Sequence, residues 1–391
     1  MSLSPAARSA AAIAAATAMN LPFGTIYAFS VFLKPMESAL GVSRAEMSFV
    51  FGLAACSLTL WMNLTPWLYR RFSPVWISAM GGVGSAVGLV ITAFASGFVE
   101  LMIGYGLLFG IGGGAGFILV QQGVNQTVRS RIGLVNGYVI GLYPLGAMIG
   151  APLFGWAITA WGLRETLLAL ALTVLLACFL TAFLFRIADI RMHDASPEAG
   201  GDVDRRWPLF FRLFAVFFLA AAAGLTVMSQ AAGIIAAYGA GSVLALGGTS
   251  VITGFIAAAR IGGGWLVDRY AVPHVAAGAH AFSLCGAVLL TLWPGPAVAV
   301  PALIMIGMGY GFISGITAGA IGGYWSRNAF GRVASQLYIA WCVAAISLPV
   351  LAGWLYDRTQ GYGTAVLIAA AGNVLGIALS LGLPRHRRTA G

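Results

Sequence analysis

Arg260 stands in the middle of an apolar stretch running from about Gly241 to Val267, and no acidic residue shares that stretch. A charge inside a bilayer costs several kcal/mol even on lenient insertion scales, so by default it marks a substrate or ion pathway. Guanidinium is also the planar fork that matches a carboxylate bidentately. Asp268, eight residues further on, closes the stretch. At ~1.5 Å rise per residue, Arg260 then lies about 12 Å into a hydrocarbon core ~30 Å thick, too deep for easy snorkelling. The chemistry implied is anion binding. The competing reading is an arginine satisfied by helix carbonyls in a packed interface.

Other polar groups recur on apolar runs: Tyr27, Tyr143, Tyr310, Tyr338 and Trp341. Each offers an apolar wall and one hydrogen-bonding group, which suits a small acid with a hydrocarbon tail. Tyrosine and tryptophan also form interfacial belts, so each has a structural alternative. Gln230 precedes the Arg260 stretch and is the amide assigned to the substrate set. Asn20, Gln121 and Gln122 read instead as amides that glue helices together. Asp268 and Arg269 read as a gate at a helix end rather than as substrate contacts.

Composition sets the scaffold. The chain has 391 residues, 60% of them hydrophobic and only 8% charged, against ~25% charged residues in soluble domains. Runs long enough to span a bilayer centre near residues 20, 56, 85, 109, 146, 175, 222, 256, 282, 309, 344 and 373. The 53 glycines favour close helix approach. The net charge of +10 is not a nucleic-acid footprint, because it is distributed by position. Arg8, Arg70 and Arg71, Arg129 and Arg131, the arginines from Arg186 to Arg212, Arg269, Arg327 and Arg332, and Arg385, Arg387 and Arg388 fall at alternate helix ends. Only Lys34, Arg44, Arg164 and Arg358 mark the opposite ends. The positive-inside rule then predicts cytoplasmic termini and a cytoplasmic central loop. The first apolar run continues to about Leu33, too long for a cleaved signal peptide, and reads as a retained helix.

A polar stretch from Arg186 to Arg206, with acids, arginines, Pro197 and paired glycines, divides the apolar runs six and six. The expected organisation is an N-terminal six-helix half at 1–186, a cytoplasmic linker at 187–208 and a C-terminal half at 209–391. The halves repeat. Arg71-Phe72 and Arg269-Tyr270 lie 198 residues apart, as do Gly133 and Gly331. Pro152-x-x-Gly155-Trp156 answers Pro349-x-x-x-Gly353-Trp354, and Gly112 and Gly116 answer Gly311 and Gly315. Parallel six-helix halves with a midplane site are a secondary-transporter architecture.

These residues carry a resemblance. Gly264-Trp265-Leu266-Val267-Asp268-Arg269 fits the loop signature G-x-L-x-D-R of the major facilitator superfamily, and Gly146-x-x-x-Gly150-Ala151-Pro152 is similar to its fifth-span glycine-proline motif. Within that superfamily the chain resembles the oxalate/formate antiporter and monocarboxylate transporter branch. The matching segments are 24–32, 131–137, Arg260-x-x-x-Gly264-x-x-x-Asp268 and 324–331 continuing to Ala340-Trp341. The resemblance implies an all-α membrane protein of twelve transmembrane helices, and places Tyr27, Tyr143 and Trp341 near positions lining the family's cavity. Three positions depart from it. The first-half loop, Trp67 to Ser73, lacks the motif's aspartate. Trp341 stands where oxalate transporters use a lysine, which favours a monoanion over oxalate. Ile256 stands where animal monocarboxylate transporters have a proton-coupling aspartate.

Other chemistries find no support. Gly110-x-Gly112-x-x-Ala115 formally matches a dinucleotide fingerprint, but no strand precedes it; the only lysine, Lys34, precedes Pro35, so no Walker A motif exists. His193, His274, His280 and His386 have no metal spacing, and Cys56, Cys178, Cys285 and Cys342 lie singly in four runs. No cofactor and no enzyme constellation are implied. The reading is a monomeric, multi-pass inner-membrane transporter of a small organic anion, a monocarboxylate, by alternating access; exchange and uniport are easier to explain than proton symport, although a proton could enter on the substrate itself. An efflux transporter for lipophilic compounds and a transporter-like anion sensor are the alternatives.

Overall fold

The computed structural model describes residues 4–69, 71–192 and 206–385. Arg70, most of the expected linker, His193, His386, Arg387 and Arg388 lie outside the described residues. Twelve helices among those described are long and apolar enough to cross a membrane: Pro5–Ala28, Phe49–Leu68, Pro74–Ala93, Phe98–Thr127, Ile132–Trp161, Leu163–Ile187, Trp207–Ala237, Gly247–Val267, Val272–Leu292, Pro296–Tyr324, Phe330–Tyr356 and Gly363–Leu381. They are the first to twelfth spans below. Helices satisfy every backbone polar group internally, which a lipid environment demands. The sixth span shows the resulting face selection. Leu172, Leu176, Phe179 and Phe183 are exposed, while Val174, Cys178 and Thr181 are buried. A surface of leucine and phenylalanine is stable against acyl chains, and the protein is a multi-pass integral membrane protein.

Local chemistry shapes individual spans. The first run is apolar without a break, yet its helix is interrupted. Pro22 sits near the end of Pro5–Phe23, and Gly24–Ala28 winds as a 3-10 turn before a further helix, Ser30–Leu40. Proline removes a backbone donor and clashes with the preceding turn, so the expected continuous helix to Leu33 gives way to three pieces. The eleventh span is likewise interrupted at Ser347, two residues before Pro349. Ser43 and Glu46 form a reciprocal capping box ahead of the second span. The backbone N–H of Ser43, and then its hydroxyl, hold the Glu46 carboxyl below the ordinary carboxylate range.

The chain forms two compact units. One comprises Met1–Ser130, Leu142–Gly201 and Arg327–Gln336, and the other Arg131–Gly141, Asp202–Ser326 and Leu337–Gly391. Residues 131–141 belong to the second unit and 327–336 to the first.

In the first unit, the first and fifth spans cross at backbone contact. A Cβ on Gly146 would lie 2.1 Å from the Leu21 carbonyl oxygen, and one on Gly24 would lie 2.2 Å from that of Tyr143. Gly146 therefore belongs to its motif for steric reasons. Gly146→Val is expected to lower the melting temperature and the monodisperse yield, with a cost of at least about 3 kcal/mol, the upper range for overpacking. Gly155→Val on the same span, where an added Cβ meets nothing within 4 Å, should be near neutral. Equal stability of the two variants would contradict this packing.

In the second unit, His280 of the ninth span is fully buried. Its Nδ1 lies 2.9 Å from Asn373 Oδ1 of the twelfth span and its Nε2 3.3 Å from the Val216 carbonyl oxygen of the seventh. Asn373 Nδ2 donates to the Ala369 carbonyl, which fixes the orientation of the amide. The imidazole thus joins three helices.

Candidate functional site

Arg260 sits on the helix Ser242–Val267 and is 4% exposed. Its Nη1 donates to the Ile140 carbonyl at 2.8 Å and its Nη2 to the Tyr310 hydroxyl, also at 2.8 Å. Its Cζ lies 5.2 Å from the centroid of the Tyr310 ring. The guanidinium is thus held by oxygens from two different helices.

Glycines make this placement possible. A Cβ on Gly315 would lie 2.1 Å from the Arg260 carbonyl oxygen, and one on Gly137 would lie 2.5 Å from the same atom. The fifth, eighth and tenth spans thus meet around the Arg260 backbone as closely as helices can. Tyr310 is 1% exposed, and a Cβ on Gly224 would lie 2.2 Å from its Cβ and 2.4–2.5 Å from two of its ring atoms. Gly224 in the seventh span leaves the room into which that ring fits. Tyr310, expected in the substrate set, thus contacts the Arg260 guanidinium through its hydroxyl and ring.

The remaining expected residues fall into separate groups. In the first unit, Tyr27 and Tyr143 meet edge to face at 6.2 Å, and Phe117 packs against Tyr143 at 5.1 Å. The Tyr143 hydroxyl donates to the Gly113 carbonyl at 3.1 Å. In the second unit, Tyr338 is half-buried and meets Phe217 at 5.7 Å. Trp341, one helical turn along, is buried. Gln230 accepts a 3.2 Å hydrogen bond from the Tyr362 hydroxyl. Four members of these groups escaped the sequence reading. Ile140 acts through its backbone, which no side-chain pattern reveals. Gly224, Phe117 and Tyr362 look like ordinary packing residues in sequence.

Asp268 closes a second feature of the same unit. Its Oδ1 accepts from the Gly133 N–H and its Oδ2 from the Leu134 N–H, each at 2.8 Å. Arg131, just ahead, has a left-handed backbone with φ of 51°. That conformation is unfavourable for a side-chain-bearing residue, and it begins the turn from which these N–H groups reach the carboxylate. The carboxylate thus caps the positive end of the fifth-span helix. Arg269, the other expected gate residue, stacks on Trp265 with Cζ 3.9 Å from the ring centroid.

The first-half loop lacks the corresponding aspartate, and a different residue caps the eleventh span. Gln122 Oε1 accepts from the Gly331 N–H at 2.7 Å, and Gln122 Nε2 donates to the Arg327 carbonyl at 3.1 Å. One helix start is held by a carboxylate and the other by a neutral amide. The expectation that Gln122 serves as interhelical glue matches this geometry, although its partner could not be read from sequence.

A family model described as Major Facilitator Superfamily matches residues 12–349. The chain is 25% identical over 384 residues to monocarboxylate transporter 13 of Bos taurus, covering 93% of this chain and 86% of that one. It is 22% identical over 330 residues to the uncharacterized MFS-type transporter YhjX of Escherichia coli (strain K12), covering 83% and 82%. Among solved structures, the fold is similar to that of the proton:xylose symporter XylE bound to 6-bromo-6-deoxy-D-glucose. The TM-score there is 0.80 at 13% identity, over 98% of this chain and 97% of that one.

Proposed function

The chain belongs to the major facilitator superfamily, and from that membership we propose that this secondary transporter carries a small organic anion, a monocarboxylate, by alternating access. The observation that carries the proposal is the fixed guanidinium of Arg260, buried in a membrane span and oriented by Ile140 and Tyr310. These two bonds hold the planar fork in a membrane span, and in this reading a substrate carboxylate pairs with it bidentately and favours the dehydrated intermediate through which the carrier must pass. Relatives named monocarboxylate transporters, aligned along most of the chain, support the same substrate class.

In this reading Tyr310 holds the fork in place. Tyr27 and Tyr143, backed by Phe117, together with Tyr338, Trp341 and Gln230, provide aromatic walls and single polar contacts for the rest of the substrate. Asp268 and Arg269 act at the gate. The bond from Asp268 to the start of the fifth span is present in one stage of the cycle and released in another. The basic helix ends lie in the cytoplasm, as do both termini, and the protein resides in the inner (plasma) membrane. Ile256, one turn before Arg260, cannot carry a proton, so anion exchange or uniport accounts for the cycle more simply than a proton relay there.

The test is uptake into proteoliposomes of a labelled short-chain monocarboxylate, with competition by monocarboxylates, dicarboxylates, neutral sugars and lipophilic cations. Monocarboxylates are expected to compete, and sugars and lipophilic cations are not. Transport of lipophilic cations that carboxylates leave unchanged would overturn the proposal.

A further inference from the structure

A cavity of about 1080 Å³ opens on the second unit, away from Arg260, where the eighth, ninth and tenth spans and the end of the chain come together. Arg269, His274 and Arg385 line one end, while Phe282, Met308 and Phe312 line the other. Phe282 and Phe312 meet edge to face at 6.3 Å and form part of its apolar wall.

Two features make the polar end cationic. Arg269 and Arg385 are exposed, and neither forms an ion pair among the described residues. Asp268 also lines the cavity, but both of its carboxylate oxygens accept backbone N–H groups of the fifth span. The position of Arg385 is built by neighbouring residues. The Tyr324 hydroxyl donates to the Pro384 carbonyl at 2.8 Å, and Arg212 Nη1 donates to the Gly382 carbonyl. These bonds bring the chain end back over the cavity and set its arginine beside the one in the loop after the eighth span.

The depth of the cavity indicates what fills the apolar end. Phe282 lies ten residues into the ninth span, and Phe312 twelve residues before the end of the tenth. At ~1.5 Å per residue the slot extends about 15–18 Å along the helices from the basic end, about one leaflet of a ~30 Å core. Cationic groups at the interface above an apolar slot of that length complement an anionic phospholipid, phosphate outward and one acyl chain inward. We infer that this cavity is a binding site for an anionic phospholipid of the leaflet facing the basic helix ends.

The full-length purified protein, delipidated in detergent, would be titrated with phosphatidylglycerol, with phosphatidylcholine of the same chains, and with inorganic phosphate, and bound lipid followed by native mass spectrometry and thermal stability. Phosphatidylglycerol is expected to bind and stabilise, whereas phosphatidylcholine and phosphate are not. The double variant Arg269→Gln and Arg385→Gln should bind phosphatidylglycerol about 30-fold more weakly, the effect of two interfacial arginines. The matching pair of lysine substitutions should retain binding. Gly278 lines the slot, and an added Cβ there meets nothing within 4 Å. Gly278→Trp should therefore fill the slot in a folded protein and abolish binding. Equal affinity for the two lipids, a full response to phosphate alone, or undiminished phosphatidylglycerol binding by Gly278→Trp and the glutamine pair would overturn the assignment.

Discussion

Arg260→Gln is expected to lower monocarboxylate uptake at subsaturating substrate by about 10²–10³-fold while leaving a folded, monodisperse protein. The magnitude follows from removing one member of a buried charge pair, about 2–5 kcal/mol. Glutamine keeps a neutral polar side chain at this position, while the charge and the fork are lost. Arg260→Lys should fall between the two. It keeps the charge, but a point cation cannot donate to Ile140, to Tyr310 and to a carboxylate in the same planar geometry. The ranking of Arg, Lys and Gln is the informative result. If lysine and glutamine are equally impaired and both are unstable, Arg260 is a packing residue. If glutamine transports normally, the charge has no role in the substrate site.

Asp268→Ala should release the start of the fifth span. The carboxylate accepts two backbone hydrogen bonds at 2.8 Å, and each bond to a charged group contributes about 1.5–3 kcal/mol. A total near 3 kcal/mol shifts the local equilibrium about 100-fold. Hydrogen exchange over 131–141 should accelerate accordingly, and transport should slow because one stage of the cycle loses its latch. Asp268→Asn should be intermediate, since one amide oxygen can still accept. Gln122→Ala, at the start of the eleventh span, gives the internal comparison, because that start is held by a neutral group. Unchanged exchange in Asp268→Ala would show that Arg131 and its turn hold the helix start without the carboxylate.

The transmembrane architecture was legible because bilayer physics acts on composition and length. Twelve apolar runs, a polar divider and a repeat near 198 residues are all linear features, and the twelve spans follow them. Arg260 was legible because charge is rare among such residues. Of the glycines around it, Gly315 was visible in the internal repeat and Gly137 in the segment 131–137, although only the fold shows both pressed against the Arg260 backbone. What remained hidden was relational. The Ile140 carbonyl has no side-chain signature. Gly224 matters only because the Tyr310 ring occupies the space it leaves. Gln122 and Gly331 are 209 residues apart, and no local pattern pairs them. The breaks at Gly24–Ala28 and Ser347 depend on how Pro22 and Pro349 are accommodated, and apolar continuity masks both.

The most direct measurement is thermal stabilisation of the purified protein across a panel of organic anions, with Arg260→Gln beside the parent. A ligand that binds only the folded state raises stability by RT ln(1 + [L]/Kd), about 2.7 kcal/mol at 100 times Kd. A monocarboxylate should stabilise the parent by that order and leave Arg260→Gln unmoved. An equal response in both proteins, or a parent that responds only to lipophilic cations, would contradict the central claim that Arg260 binds the transported anion.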